Sequence, residues 1–230
     1  MYRTLYRGLL AGGVGAALWL AQAAQAIQLD FASLSLTSIS FDGAGHFMFL
    51  PVGGNQFQIK NSSGVGDAIN DFGRMDGTWT FGPVSSPSSG EFEAPVMGKG
   101  TLVIHDGLGN DLTGSLTWDL IETKGTGGTL NLNGVINLSG LSYSGPQIDL
   151  QQLATEQGGN AVEDLHFSTI EPNGTQVTLA QLASGSTLTS SFNGKIVALP
   201  STHVPDGGSS MLLLGSAFLF IEGIRRKLRK

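Results

Sequence analysis

Two pairs of carboxylates, Glu91 with Glu93 and Asp119 with Glu122, come nearest in type and spacing to catalytic residues. Glycoside hydrolysis needs two carboxyl groups facing across a cleft, one to protonate the leaving oxygen and one to serve as nucleophile or base. Short spacings of this kind also arise by chance in an acidic chain, so they make a candidate and no more. The stretch Asp106-Gly107-Leu108-Gly109-Asn110-Asp111 places three oxygen-bearing side chains in six residues. Calcium takes oxygen ligands from tight loops that glycine permits, which makes Asp106, Asn110 and Asp111 weak calcium candidates. Their order departs from the EF-hand loop, and ordinary turns use the same residue types. Asn70 and Asp71 with Asp76 form a looser group of this kind.

Other chemistries find no support. His46, His105, His166 and His203 show no zinc-binding spacing, and the chain has no cysteine, so thiolate ligands, thiol nucleophiles and disulfides are excluded. Gly140-Leu141-Ser142-Tyr143-Ser144 lacks the closing glycine of a nucleophile elbow. Between Ile27 and His203 five Lys and Arg residues stand against sixteen Asp and Glu, a net of −11. Such a surface repels nucleic acid, whose binding needs clustered cations. Trp79, Phe81, Trp118 and Tyr143 are the aromatic faces a carbohydrate-binding module would use. Trp118 shares its parity with Leu116 and Leu120 and is expected in the core, whereas alternation leaves Trp79 open. The sequence shows no catalytic constellation, and the chain reads as non-enzymatic.

The elements that must carry these residues are strands. Leu29, Phe31, Ile39 and Phe41 share one parity, so a long strand or bulged pair is expected there, followed by a turn at Asp42-Gly43-Ala44-Gly45. Strands are expected over 46–52, 56–60 and 78–81, with a Gly-rich loop at 61–77. The prolines of 82–98 mark a hinge or long surface loop. Period-two alternation is clearest over 112–120 and 130–138, joined by a hairpin turn at Gly125-Thr126-Gly127-Gly128. Strands at 165–170, 175–179 and 187–199 continue it, and 148–155 holds a short helix. The central segment, 27–203, is therefore expected to be an all-β passenger, an antiparallel β-sandwich or jelly-roll-like domain.

The two ends read differently. Residues 1–26 combine Arg3 and Arg7, an apolar stretch from Gly8 to Leu20 and an Ala-x-Ala end at Ala24 and Ala26, the parts of a secretory signal peptide whose helix would be removed after Ala26. Residues 204–230 run Val204-Pro205-Asp206-Gly207-Gly208, then an apolar stretch from Met211 to Ile224, then a basic stop of Arg225, Arg226, Lys227, Arg229 and Lys230. As a helix the apolar stretch would be roughly 21 Å long at about 1.5 Å per residue, short against a bilayer core of about 30 Å. Snorkelling of the basic side chains on the cytoplasmic side extends its reach. Pro205 and the two glycines keep the chain before it extended and open to a protease.

This three-part tail resembles the C-terminal sorting domain of PEP-CTERM proteins, with Asp206 and Gly207 where the family usually has Glu and Pro. The resemblance covers about 27 of the 230 residues. It implies a bacterial protein exported by the secretion machinery and held transiently by a C-terminal transmembrane helix. An exosortase-type membrane enzyme would then process it, for a place at the cell surface or in an exopolysaccharide-rich extracellular matrix. A structural or adhesive role without a cofactor is the first expectation, and a secreted carbohydrate-binding or glycan-cleaving domain the second.

Overall fold

A computed structural model describes residues 26–128, 130–169 and 176–199. The chain divides into two units, Met1–Pro200 and Ser201–Lys230. The signal segment up to Gln25, Ala24 included, lies outside the described residues, as do the sorting motif, the apolar run and the basic stop. In chain order the strands are β1 (Gln28–Ser33), β2 (Ser38–Asp42), β3 (His46–Leu50), β4 (Phe57–Ser62), β5 (Phe72–Gly77), β6 (Trp79–Phe81), β7 (Glu91–Met97), β8 (Gly100–His105), β9 (Asp111–Lys124) and β10 (Leu130–Ser142). Helix α1 (Ile148–Thr155) follows, then β11 (Ala161–Phe167), helix α2 (Leu179–Ser184), β12 (Thr187–Ser190) and β13 (Phe192–Ala198).

These strands pair antiparallel in the order β10-β11-β13-β1-β4-β5-β8-β9, and β9 pairs back onto β10, which closes eight strands into a ring. The closure depends on the length of β9. Its residues 111–116 pair with β8, and its residues 120–124 leave that neighbour to pair with β7. From β7 the ladder continues through β6, β3, β2 and β12 as a second, smaller sheet. The architecture is thus mostly β and barrel- or sandwich-like.

Alternating burial builds the core. Leu29 and Phe31, Ile39 and Phe41, Phe47 and Phe49, and Leu112, Leu116 and Trp118 all point inward, while Asp30, Ser40, Thr113, Ser115 and Thr117 between them face the other way. Aromatic rings join the small sheet to the barrel. Phe47 on β3 meets Trp118 on β9 edge-on at 5.0 Å, and Phe49 meets Phe192 on β13 at 4.9 Å. Edge-to-face pairs of this kind contribute about 0.5–1.5 kcal/mol each beyond area burial. Trp79 is fully buried beside Trp118, which settles its parity.

Several expectations need correction. The stretch expected as a long strand or bulged pair is two separate strands that break at residues 34–37, where Leu36 takes φ 70° and is 99% exposed while Leu34 N and Thr37 Oγ1 both donate to Gln56 O. The expected loop at 61–77 ends in β5. Its apolar alternation is hidden because Gly73 stands at an inward position that the Phe57 ring fills; a Cβ there would lie 2.2 Å from that ring. The expected hinge at 82–98 contains β7 with Pro95 inside it. Pro95 pairs with Leu120 at the last β7–β9 position, and its carbonyl accepts from Gly82 N at 2.7 Å. Proline is tolerated where a ladder ends.

Of the strand expected over 175–179, the described residues 176–179 instead lead into α2. Thr178 and Gln181 form a capping box that starts this helix. Leu120 also departs from its expected face. Val135 pairs with Leu120 and Ile136 with Trp118, so Asp119 is an extra residue on β9, and this bulge switches the inward parity from Trp118 to Ile121. Helix α1 and the 125–128 hairpin turn stand where the sequence places them.

Candidate functional site

The bulge at Asp119 has a chemical consequence on the outer face. Leu120 turns outward and, with Pro83, Ser85, Glu93, Pro95 and Asp119, lines an open groove of about 390 Å³. A smaller recess of about 120 Å³ shares Glu93 and adds Glu91 and Glu122. All four carboxylates singled out in the sequence therefore reach one surface, but paired differently. Glu93 stands opposite Glu122 across the β7–β9 ladder, and Glu91 opposite Lys124. Residues directly opposite have Cβ atoms about 4.5–5.5 Å apart, and like charges there repel. Ser85 Oγ donates to Glu93 Oε1 at 3.1 Å, and Ser88 Oγ donates to Glu91 Oε2. Trp79, Phe81 and Trp118 are buried in the core, so their faces do not serve this groove.

A second polar centre lies where the loop 63–71, the turn 106–110 and the start of α1 meet. Asp106 is 3% exposed and its carboxylate is filled by protein donors. Oδ1 accepts from Leu108 N (2.7 Å) and Asn110 N (2.9 Å), and Oδ2 from Asn110 Nδ2 (2.8 Å) and Tyr143 OH (2.8 Å). Burial works to raise this carboxyl, but the bonds from Asn110, Tyr143 and Leu108 outweigh it and hold Asp106 well below the usual range. Asp111 is turned away, accepting from His105 Nδ1 at 2.6 Å while His105 Nε2 accepts from Arg74. The three sequence candidates for calcium thus split, Asp106 with Asn110 in a closed turn and Asp111 outside it. Asp76 lies at the far end of β5, accepting from Arg74 Nε and Gly53 N. Among the described residues no group of three or more His, Asp or Glu is disposed to hold a metal ion.

Around Asp106 the loop and helix exchange caps. Asp67 accepts from Ile148 N (2.6 Å) and Asp149 N (3.0 Å), satisfying the exposed amides at the start of α1. Asp149 in turn accepts from Val65 N (2.7 Å) and Gly66 N (2.9 Å). Between them Gln147 Nε2 donates to Asp71 Oδ1 and to Asp106 O, both at 3.3 Å. Asp71 Oδ2 and Gln147 Oε1 are buried without a partner among the described residues. Burial pushes the Asp71 carboxyl up to about 6, with the Gln147 bond opposing and the charges of Asp106, Asp67 and Asp149 adding to the rise.

The two unpartnered oxygens are those a protonated acid joins to a primary amide, so a proton on Asp71 Oδ2 completes the pair. Because the folded state holds that proton above the unfolded carboxyl's range, stability falls as pH rises from about 4 to about 6. Asp71→Asn supplies the same donor without titrating. Its melting temperature is expected to match wild type at pH 4 and exceed it by a few degrees at pH 8. A calcium-dependent rise in wild type that Asp71→Asn abolishes would instead place a cation there.

The described residues leave the two ends to the sequence, and comparison with known proteins addresses one of them. Residues 203–228 carry a PEP-CTERM-like sorting signal. The family model that matches them is described as the VPDSG-CTERM motif. Val204, Pro205, Asp206 and Gly208 agree with the letters of that name, and Gly207 stands where it has serine. No curated protein and no solved structure matches the chain. The passenger is recognised by no family. A signal of this type suggests an exported, cell-surface protein and implies processing by an exosortase-type enzyme. No helix among the described residues is long and apolar enough to cross a membrane.

Proposed function

We propose that this chain is an exported protein whose β-rich passenger acts without catalysis, as a structural or adhesive component of the cell surface or of an exopolysaccharide-containing matrix. The secretion machinery takes it across the membrane, the run from Met211 to Ile224 holds it there transiently, and an exosortase-type enzyme releases it near Val204–Gly208. The sorting signal at residues 203–228 is the observation that carries this reading. The acidic, cysteine-free passenger agrees with it, since stability outside the cell then rests on an apolar core and needs no disulfide. Mass spectrometry of the mature protein is expected to show a C-terminus upstream of Met211. A mature chain that still ends in Arg225–Lys230 overturns the processing step.

The groove at Glu93 and Glu122 supports a second reading, a glycan-cleaving or carbohydrate-binding surface. Retaining glycosidases use two neighbouring carboxyl groups, one as acid and one as nucleophile, and Glu93 and Glu122 face each other on neighbouring strands. Incubating the secreted protein with polysaccharide arrays separates the two. The first reading expects no sugar release, and release that Glu93→Gln abolishes establishes the second.

A further inference from the structure

The first buried residue of the passenger lies where the signal segment ends. Ile27 is 1% exposed and follows directly on Ala26 of the Ala-x-Ala sequence. Its carbonyl accepts from Ala198 N at 3.0 Å, continuing the β1–β13 ladder one step beyond Gln28, and its side chain packs against Gly64, where a Cβ would lie 2.6 Å from Ile27 Cδ1. Gln28 N donates to Ser63 Oγ at 2.8 Å, so the next residue is also fixed. The backbone nitrogen of Ile27 points at a carboxylate, that of Glu156, with Oε2 3.3 Å away. Glu156 follows the last residue of α1, and its own amide closes that helix on Gln152 O.

We infer that signal cleavage between Ala26 and Ile27 makes Ile27 the mature N-terminus and that its new α-ammonium pairs with Glu156. This rests on reading residues 1–26 as an export signal. Hydrolysis adds water across the Ala26–Ile27 bond: oxygen goes to the Ala26 carboxylate, which leaves with the signal segment, and the Ile27 nitrogen becomes a protonated amine. Before cleavage that nitrogen offers Glu156 one amide hydrogen. Afterwards it offers three and a positive charge, and charge-assisted bonds are roughly twice as strong as neutral ones. The ammonium also sits at the C-terminal end of α1, where the helix dipole favours a cation. Removal of the leader thus adds a contact to the fold, and Ile27 is held by its nitrogen, its carbonyl and its side chain at once.

The test uses the mature secreted protein and its Glu156→Gln variant. N-terminal sequencing is expected to begin at Ile27. An α-amine free in solution titrates at about 7.7–8.0; measured by NMR, the Ile27 amine is expected to titrate higher in wild type and to fall by about half a unit or more in Glu156→Gln. Identical titration in the two proteins overturns the ion pair while leaving the cleavage site standing. A mature chain beginning at another residue overturns the cleavage site, and an uncut chain overturns the export reading with it.

Discussion

Glu163→Leu is expected to raise the melting temperature at pH 7 by about 5–10 °C, a large gain for a single change. Glu163 lies on β11 between Ile136 and Ile196 in register, fully buried, and neither carboxyl oxygen has a partner among the described residues. Burial, with the neighbouring Asp164 charge adding, pushes its carboxyl up to about 8 from an ordinary 4.5. The unfolded chain therefore releases this proton near pH 4.5 while the folded one keeps it to about pH 8. Across that window the native state binds more protons, and stability falls by about 1.4 kcal/mol per pH unit, on the order of 3 kcal/mol at pH 7. Leucine removes that cost and fills a similar volume. Calorimetry should show a gap between the two proteins that is constant below about pH 4 and widens up to pH 8, and parallel profiles throughout would sink the assignment. Glu163→Gln should flatten the same slope while leaving polar atoms in the core.

Asp106→Ala should act in the opposite direction, lowering stability by on the order of 3–5 kcal/mol. The carboxylate gathers donors from the 106–110 turn and from Tyr143, and Tyr143 OH also accepts from Gln147 N at 3.2 Å just before α1. Without the acid, those donors lose their acceptor and the turn loses its link to the helix. The pH dependence is also reversed. A carboxyl held below its ordinary range in the folded state contributes stability that is present above the unfolded value of about 3.8 and lost as pH falls through the folded one. The variant should therefore lose less stability between pH 4 and pH 2 than wild type does. Burial pushes the Tyr143 hydroxyl up to about 12, so it remains a donor across this range. Chemical denaturation at pH 7 and pH 2.5 measures both effects.

What was legible in the sequence follows from how far a pattern's cause extends. Period-two alternation in β9 and β10 is imposed locally by the pleat, so 112–118 read correctly up to the bulge. There a single extra residue, Asp119, re-phases everything after it, and no spacing announces it beforehand. Gly73 and Gly134 illustrate a second limit. Both are inward positions without side chains because an aromatic from a neighbouring strand, Phe57 or Trp118, occupies the space. To a reader of one strand they look like turn residues. The 106–111 stretch was visible as an oxygen-rich turn, whereas its partners Tyr143 and Gln147 are far along the chain. Glu163 carried a signal that was available: it falls at an inward parity among Ala161 and Leu165. The sorting signal at 203–228 was legible because such a signal is read as a linear sequence and needs no tertiary contact to be recognised.

The adjacency of Trp79 and Trp118, with ring centroids 6.1 Å apart and planes inclined at 57°, gives the core an optical signature of its own. Transition dipoles at that distance and tilt couple, so the folded passenger should show structured near-ultraviolet circular dichroism from one pair of indoles. The sequence contains three tryptophans, and the third is Trp19, within the segment 1–26 that reads as an export signal. In a chain that begins at Ile27, every tryptophan photon comes from the junction between the small sheet and the barrel, so the joining of those two sheets can be followed without a label.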